Sequence, residues 1–270
     1  MFPGGKNGAG VYQRIISLMP PHKVYIEPFL GSGAILRNKR PALANIGMDL
    51  DAAVIEAWKT KARASGYSVG LELLQADAIE FLASHEFTPQ TLVYCDPPYV
   101  LSTRSHRRIY QHEMSDDQHR RLLDVLNAIC DNVFFSAVYI LISGYWSKLY
   151  EEHLHRPRWH STSYQAMTRG GRLATETIWF NFPKPAELHD YRHLGEGFRE
   201  RERIQRKIRR WTARLSRLPA LERNAILAAI MEAEGHARPP EATMSAEAAG
   251  SGDAAESLAG IERGGSSRQN

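Results

Sequence analysis

The residues with the most chemistry to offer are Asp96-Pro97-Pro98-Tyr99, which close an apolar run from Thr91 to Cys95. Two prolines make a stiff turn with no N–H of its own, so the turn presents carbonyl oxygens and the Asp96 carboxylate. A cluster of acceptors suits a substrate that presents donors, above all an amino group. Tyr99 adds a flat face on which a planar base can stack. A second segment, Glu27-Pro28-Phe29-Leu30-Gly31-Ser32-Gly33, has glycines that permit a tight turn and let backbone approach a bound molecule closely. Plain strand-to-helix turns share that pattern, so it gains weight only from Asp49, an acid ending the next apolar run, where an α/β site grips ribose hydroxyls. A dinucleotide loop would carry a third glycine where this chain has Leu36, which argues against hydride-transfer chemistry.

These residues need a scaffold, and the text around them supplies one. Lys23 to Pro28 reads as a short buried strand, followed by the glycine turn and a helix from Ala34 to Lys39. Ala44 to Leu50, Leu71 to Asp77 and Thr91 to Tyr99 read as further strands, the last halted by its double proline, with helical text from Asp51 to Ser65 between them. Strands alternating with helices predict an α/β fold with a mostly parallel sheet and helices on both faces. Ser115 with Gln118 forms a capping-box pattern for a helix to Cys130, Ala137 to Tyr145 is a strongly apolar strand, and Trp159 to Phe182 reads as a hairpin turning at Gly170-Gly171. No internal repeat is visible.

In order along the chain, Phe2-Pro3-Gly4-Gly5-Lys6, Glu27 to Gly33 and Asp96 to Tyr99 resemble the DNA adenine-specific (N6) methyltransferases that carry a lysine-bearing N-terminal motif. The resemblance spans about residues 1 to 182. It implies a seven-stranded S-adenosyl-L-methionine-dependent methyltransferase sheet and methylation of the 6-amino group of adenine turned out of double-stranded DNA. By that resemblance Phe2, Lys6, Glu27, Phe29, Gly31 and Gly33 cradle the cofactor, Asp49 holds its ribose and Asp77 approaches its adenine. Asp96, Pro97, Pro98 and Tyr99 would form the target-base pocket. Members that read a defined sequence with a dedicated domain carry it between the glycine loop and the Asp-Pro-Pro-Tyr motif. Here Gly33 and Asp96 are too close for that, so recognition falls to other segments. An RNA adenine methyltransferase of the same fold, or a nucleic-acid-binding homologue without catalysis, are the alternatives.

Charge adds the partner. The 270 residues carry a formal net charge of +4, which points weakly to an anionic partner because it is not concentrated in the total. It is concentrated locally. Arg104, Arg107, Arg108 and Tyr110 follow the base-pocket motif, and Arg169 and Arg172 flank the hairpin tip, so these six are expected to contact DNA. A basic helix from Arg199 to Leu218 aligns Ile204, Ile208, Trp211, Leu215 and Leu218, and with a second helix after Pro219 it is expected to follow the phosphate backbone or to join two copies as a homodimer. The expected division is a methyltransferase domain over 1–186, a basic helical segment over 187–234 and a disordered tail over 235–270. Globular averages of 43% hydrophobic and 24% charged residues exclude a wholly disordered or collagenous chain. Two cysteines exclude a disulfide framework, no ligand set predicts a metal, and the absence of an apolar membrane run or signal-peptide plan predicts a cytoplasmic protein with no membrane partner.

Overall fold

The computed structural model describes residues 6–8, 10–65, 70–104, 111–132, 138–155, 157–167 and 171–237. Seven strands form one sheet: β1 (Val24–Glu27), β2 (Ala44–Asp49), β3 (Leu71–Gln75), β4 (Thr91–Cys95), β5 (Val138–Tyr145), β6 (His160–Met167) and β7 (Leu173–Phe180). Their spatial order is β3-β2-β1-β4-β5-β7-β6. β7 is antiparallel to both of its neighbours, and the remaining pairs are parallel. This is the seven-stranded, mostly parallel sheet expected from the sequence. The hairpin is present, but its returning strand β7 inserts between β5 and β6.

Helices cover both faces: α1 (Val11–Ile16), α2 (Ala34–Asn38) and α3 (Ala52–Ser65) on one, and α4 (Ala78–Ser84), α5 (Asp116–Asp131) and α6 (Lys148–His153) on the other. The two-residue period of a strand divides the apolar residues between two cores. Tyr25, Leu92, Tyr94 and Leu141 pack with Ile15, Ile35 and Trp58 on the first face. Ile26, Val93, Cys95 and Ile142 pack with Leu82, Leu122 and Leu126 on the second. All five residues of β4 are buried, as a central strand covered on both sides requires. Ser115 and Gln118 form the reciprocal capping box at the start of α5.

The strand order reverses between β1 and β4, which pair directly through Val24↔Thr91 and Ile26↔Val93. The crevice beyond their carboxyl ends is where an open α/β sheet binds ligands. The Glu27 loop and the Asp96 turn both leave the sheet at that crevice.

Two compact units divide the chain, Met1–Trp211 and Thr212–Asn270. The first does not end where the strands do. His189 stacks on His22 at 3.7 Å, the Arg40 N–H donates to Asp190, and Arg192 donates to the Asn38 carbonyl. These contacts tie the segment after the hairpin back to the sheet. Helix α7 (Phe198–Ser216) contains no buried residue, and α8 (Ala220–Ala237) continues three residues into the stretch expected to be disordered. Residues 238–270 lie outside the described residues.

Candidate active site

A cavity of about 390 Å³ opens at the β1/β4 crevice, floored by the Glu27 loop, Asp49, Asp77 and Asp96, with a further wall from Gln111 to Met114. The glycine loop is held on both sides of Gly31. The Gly31 N–H donates to Asp49 Oδ2 at 2.8 Å, and its carbonyl accepts from the Trp58 indole at 3.2 Å. Gly31 and Gly33 both have positive φ, +44° and +56°. They serve different purposes. A Cβ on Gly33 would lie 2.0 Å from Trp58, so this glycine is required by packing beneath the loop. A Cβ on Gly31 would meet nothing within 4 Å, and Gly31 lines the cavity.

Three acids of this cavity, Asp49, Asp77 and Glu27, accept from backbone N–H groups. Asp49 also accepts the Asp51 N–H at 3.0 Å, and burial raises its carboxyl above the ordinary range. Asp77 caps α4, with Oδ1 accepting the N–H groups of Ile79 and Glu80. Glu27 is fully enclosed; Oε2 accepts from the Tyr25 hydroxyl at 2.8 Å and the Leu36 N–H at 3.0 Å, and burial pushes its carboxyl up to about 8. Phe29 lines the same cavity and packs against the second core.

At the end of β4 the key contact is ionic. Lys6, 5% exposed, places Nζ 2.8 Å from Asp96 Oδ1 and donates to the Tyr99 hydroxyl. Lys6 therefore touches the Asp-Pro-Pro-Tyr motif as well as lining the cavity in which the resemblance placed it. Glu176 on β7 completes the cluster. Its Oε2 lies 3.5 Å from Lys6 Nζ and accepts from the hydroxyls of Tyr99 (3.1 Å) and Tyr164 (2.9 Å). Burial, joined by the like charge of Glu176, pushes the Asp96 carboxyl up to about 6 against the pull of Lys6. Burial works against the charge of Lys6, yet Asp96 and then Glu176 hold its ammonium well above the usual lysine range. Tyr99 is 7% exposed and meets Tyr145 edge-on at 4.7 Å. Cys95 is buried and burial raises its thiol strongly, which suits the packing role expected of it and not nucleophilic attack.

The sequence reading missed Glu176. It had a signal: Glu176 shares its strand face with Ile178 and Phe180, both buried, so a carboxylate faces inward there. It also missed the wall from Gln111 to Met114. Arg104 needs correction. Its side chain is 4% exposed and grips both carboxylate oxygens of Glu113, so its charge is satisfied within the protein and does not face solvent as a DNA contact would. Arg172 is exposed beside the hairpin tip. Phe2, Arg107, Arg108, Tyr110 and Arg169 lie outside the described residues. Among the described residues no group of three or more His, Cys, Asp or Glu is arranged to hold a metal, and no helix is long and apolar enough to cross a membrane.

Residues 63–165 match the D12 class N6 adenine-specific DNA methyltransferase family. The matched stretch contains Asp96 to Tyr99 and bears out the resemblance read from the motifs. No curated protein matches the chain. Among solved structures, the chain is similar to precorrin 8W decarboxylase from Methanobacterium thermoautotrophicum, with 11% identity, coverage of 67% of this chain and 94% of that one, and a TM-score of 0.45. It is similar to TrmN from Thermus thermophilus, with 18% identity, coverage of 64% and 47%, and a TM-score of 0.43. A SAM-dependent methyltransferase from Agrobacterium tumefaciens gives 14% identity, coverage of 64% and 60%, and a TM-score of 0.44.

Proposed function

We propose that this protein transfers a methyl group from S-adenosyl-L-methionine to the 6-amino group of an adenine turned out of double-stranded DNA. The observation that carries the reading is the Asp96 carboxylate at the carboxyl end of β4, inside the family-matched stretch and facing the cavity beside the glycine loop. The cavity fits the cofactor. Its volume is that of a small-molecule site, Gly31 leaves open the space a Cβ would fill, and Glu27, Asp49, Asp77 and Asp96 face it with Lys6 as the cation among them. The carboxyl groups of Asp49, Asp77 and Asp96 suit a ligand with a sulfonium and an ammonium, while Glu27 keeps its proton at neutral pH. When bound, the cofactor supplies an already activated methyl group.

The chain's own residues have then to prepare the amine. The 6-amino nitrogen of adenine is a poor nucleophile because its lone pair is delocalised into the ring. Hydrogen bonds accepted by Asp96 and the Pro97 carbonyl draw that nitrogen toward tetrahedral geometry and free the pair. Once methylated, the nitrogen must lose a proton, and an ionised Asp96 oxygen is the acceptor in reach. Lys6 keeps Asp96 ionised at neutral pH, and Glu176 with Tyr99 keeps Lys6 in place. Turning the base out of the duplex costs a few kcal/mol, which stacking on an aromatic face helps to offset.

The test is Asp96→Asn, which retains shape and removes the charge. Transfer of labelled methyl to DNA should fall by about 10²- to 10³-fold, while calorimetric affinity for S-adenosyl-L-methionine persists. Turnover at the wild-type rate would remove Asp96 from the mechanism. Matched DNA and RNA oligonucleotides, with mass spectrometry of the product, decide the nucleic acid and the base.

A further inference from the structure

A second cavity, of about 570 Å³, lies between α1, β6 and the segment leading into α7. Its electrostatics differ from those of the first. Arg14 donates from Nη2 to the Glu196 carbonyl at 2.9 Å, and Arg201 donates from Nη1 to the carbonyls of Gly195 (3.2 Å) and Glu196 (3.4 Å). Both guanidiniums thus converge on one short stretch of backbone. Among the described residues neither has a carboxylate within 4.0 Å. The neighbouring charges are already paired: Arg192 with Asp190, and Glu202 with Arg206 and Arg209. The Glu196 carboxylate belongs to an exposed residue of the lining.

Backbone makes room for this pair. Gly10 (φ +85°) would bring a Cβ to 3.4 Å from Arg201 Nη2, and Gly195 (φ +125°) would bring one to 2.9 Å from the Arg201 amide. A guanidinium has five donors in a planar fork, and a carbonyl contact leaves most of them free. Two such forks without a counter-ion form a site for an anionic oxygen group.

The second cavity is joined to the base pocket through side chains in contact. The Arg14 guanidinium lies 5.5 Å over the Tyr164 ring, the Tyr164 hydroxyl donates to Glu176 Oε2, and the same oxygen faces Lys6, which pairs with Asp96. A nucleotide turned out of a duplex rotates about its own backbone, so its phosphates stay within a nucleotide's length of the pocket that takes its base. We propose that Arg14 and Arg201 form a phosphate site that holds the nucleic-acid backbone at the target nucleotide. The inference rests on the function proposed above and adds to it a backbone contact from α1 and α7 that does not involve the arginine loops.

The test is the salt dependence of binding, followed by fluorescence anisotropy of a labelled DNA duplex between 50 and 200 mM salt. For Arg14→Gln with Arg201→Gln the slope of log K against log salt should shrink by about 0.9 for each phosphate that is no longer neutralised. Arg14→Lys with Arg201→Lys should keep the wild-type slope, because the charge remains. Calorimetric affinity for S-adenosyl-L-methionine should be unchanged in both, which reports an intact fold. An unchanged slope in the Gln pair overturns the phosphate site, and so does an equal loss in the Gln and Lys pairs, which would mark the arginines as tethers for the Glu196 backbone. If the wild-type protein binds no nucleic acid, the proposed function itself fails and the phosphate site fails with it.

Discussion

Lys6→Met and Glu176→Gln should move the acid limb of methyl transfer in opposite directions. Asp96 must be ionised to accept from an amine, so kcat/KM for DNA should rise with pH through about 6, where burial has pushed its carboxyl from an ordinary 3.8. Burial outweighs a strong attraction here. At an effective dielectric constant of about 20, unit charges separated by the 2.8 Å between Lys6 and Asp96 attract by about 6 kcal/mol, and the carboxyl still lies above its ordinary value. Removing the ammonium leaves burial and Glu176, both of which disfavour the carboxylate. The limb should move up by roughly 1 to 3 pH units, the range typical of losing an adjacent opposite charge. Glu176→Gln removes a like charge and leaves Lys6 to Asp96 alone, so the limb should move below 6. The assay is initial-rate transfer of labelled methyl at saturating cofactor from pH 5 to 9, each profile normalised to its own plateau. Packing damage lowers a plateau without moving a limb. Limbs that coincide with wild type, or that move the same way in both variants, would refute the electrostatic coupling of Lys6, Asp96 and Glu176.

Glu27 gives a stability prediction with a definite sign. Its carboxyl is raised in the folded protein from 4.5 to about 8, so the fold takes up a proton more readily than the unfolded chain and its stability falls as pH rises through that window. At pH 7 the cost is about 3 kcal/mol. Glu27→Gln keeps an oxygen for Tyr25 and Leu36, and in urea unfolding it should match wild type near pH 5 and exceed it at pH 8; parallel pH dependences would show that Glu27 ionises freely. The two loop glycines should separate in their effects. Gly33→Ala sets a Cβ against Trp58 and should cost several kcal/mol, from about 1–2 for the left-handed backbone and 1–3 for overpacking. Gly31→Ala bears only the backbone cost and should instead weaken calorimetric affinity for S-adenosyl-L-methionine, an assignment that equal thermal shifts with unchanged cofactor affinity would reverse.

Most of the sheet was legible because its signals are local. The strand of Thr91 to Cys95 is apolar throughout and is stopped by two prolines, and Ser115 with Gln118 marks the start of α5 from four residues of text. The placement of β7 beside β5 was not legible. A hairpin pattern specifies that two strands pair, and which of them joins the sheet depends on the apolar face that Ile178 and Phe180 offer to β5. Arg104 failed for a related reason. In sequence it stands in a basic run, while its partner Glu113 comes nine residues later, beyond the reach of any helical or strand period, and only the fold brings the two charges together.

Glu176 shows how the site depends on that nonlocal pairing. Register pairs Tyr164 and Tyr145 with Glu176, one on each side, so β7 brings its carboxylate between two phenols because it sits between β5 and β6. In the alternative order, with β6 beside β5, Tyr145 would face a different strand and β7 would lie one position farther from β4. Lys6 would then have Asp96 but would lack the second carboxylate that anchors it. A buried ammonium shared by two acids is more firmly held than one paired with a single acid, since loss of a sole partner would leave an uncompensated charge at a cost of about 3–5 kcal/mol. The inserted antiparallel strand, which from topology alone looks like an irregularity at the edge of a parallel sheet, therefore supplies the second carboxylate that holds Lys6 beside Asp96.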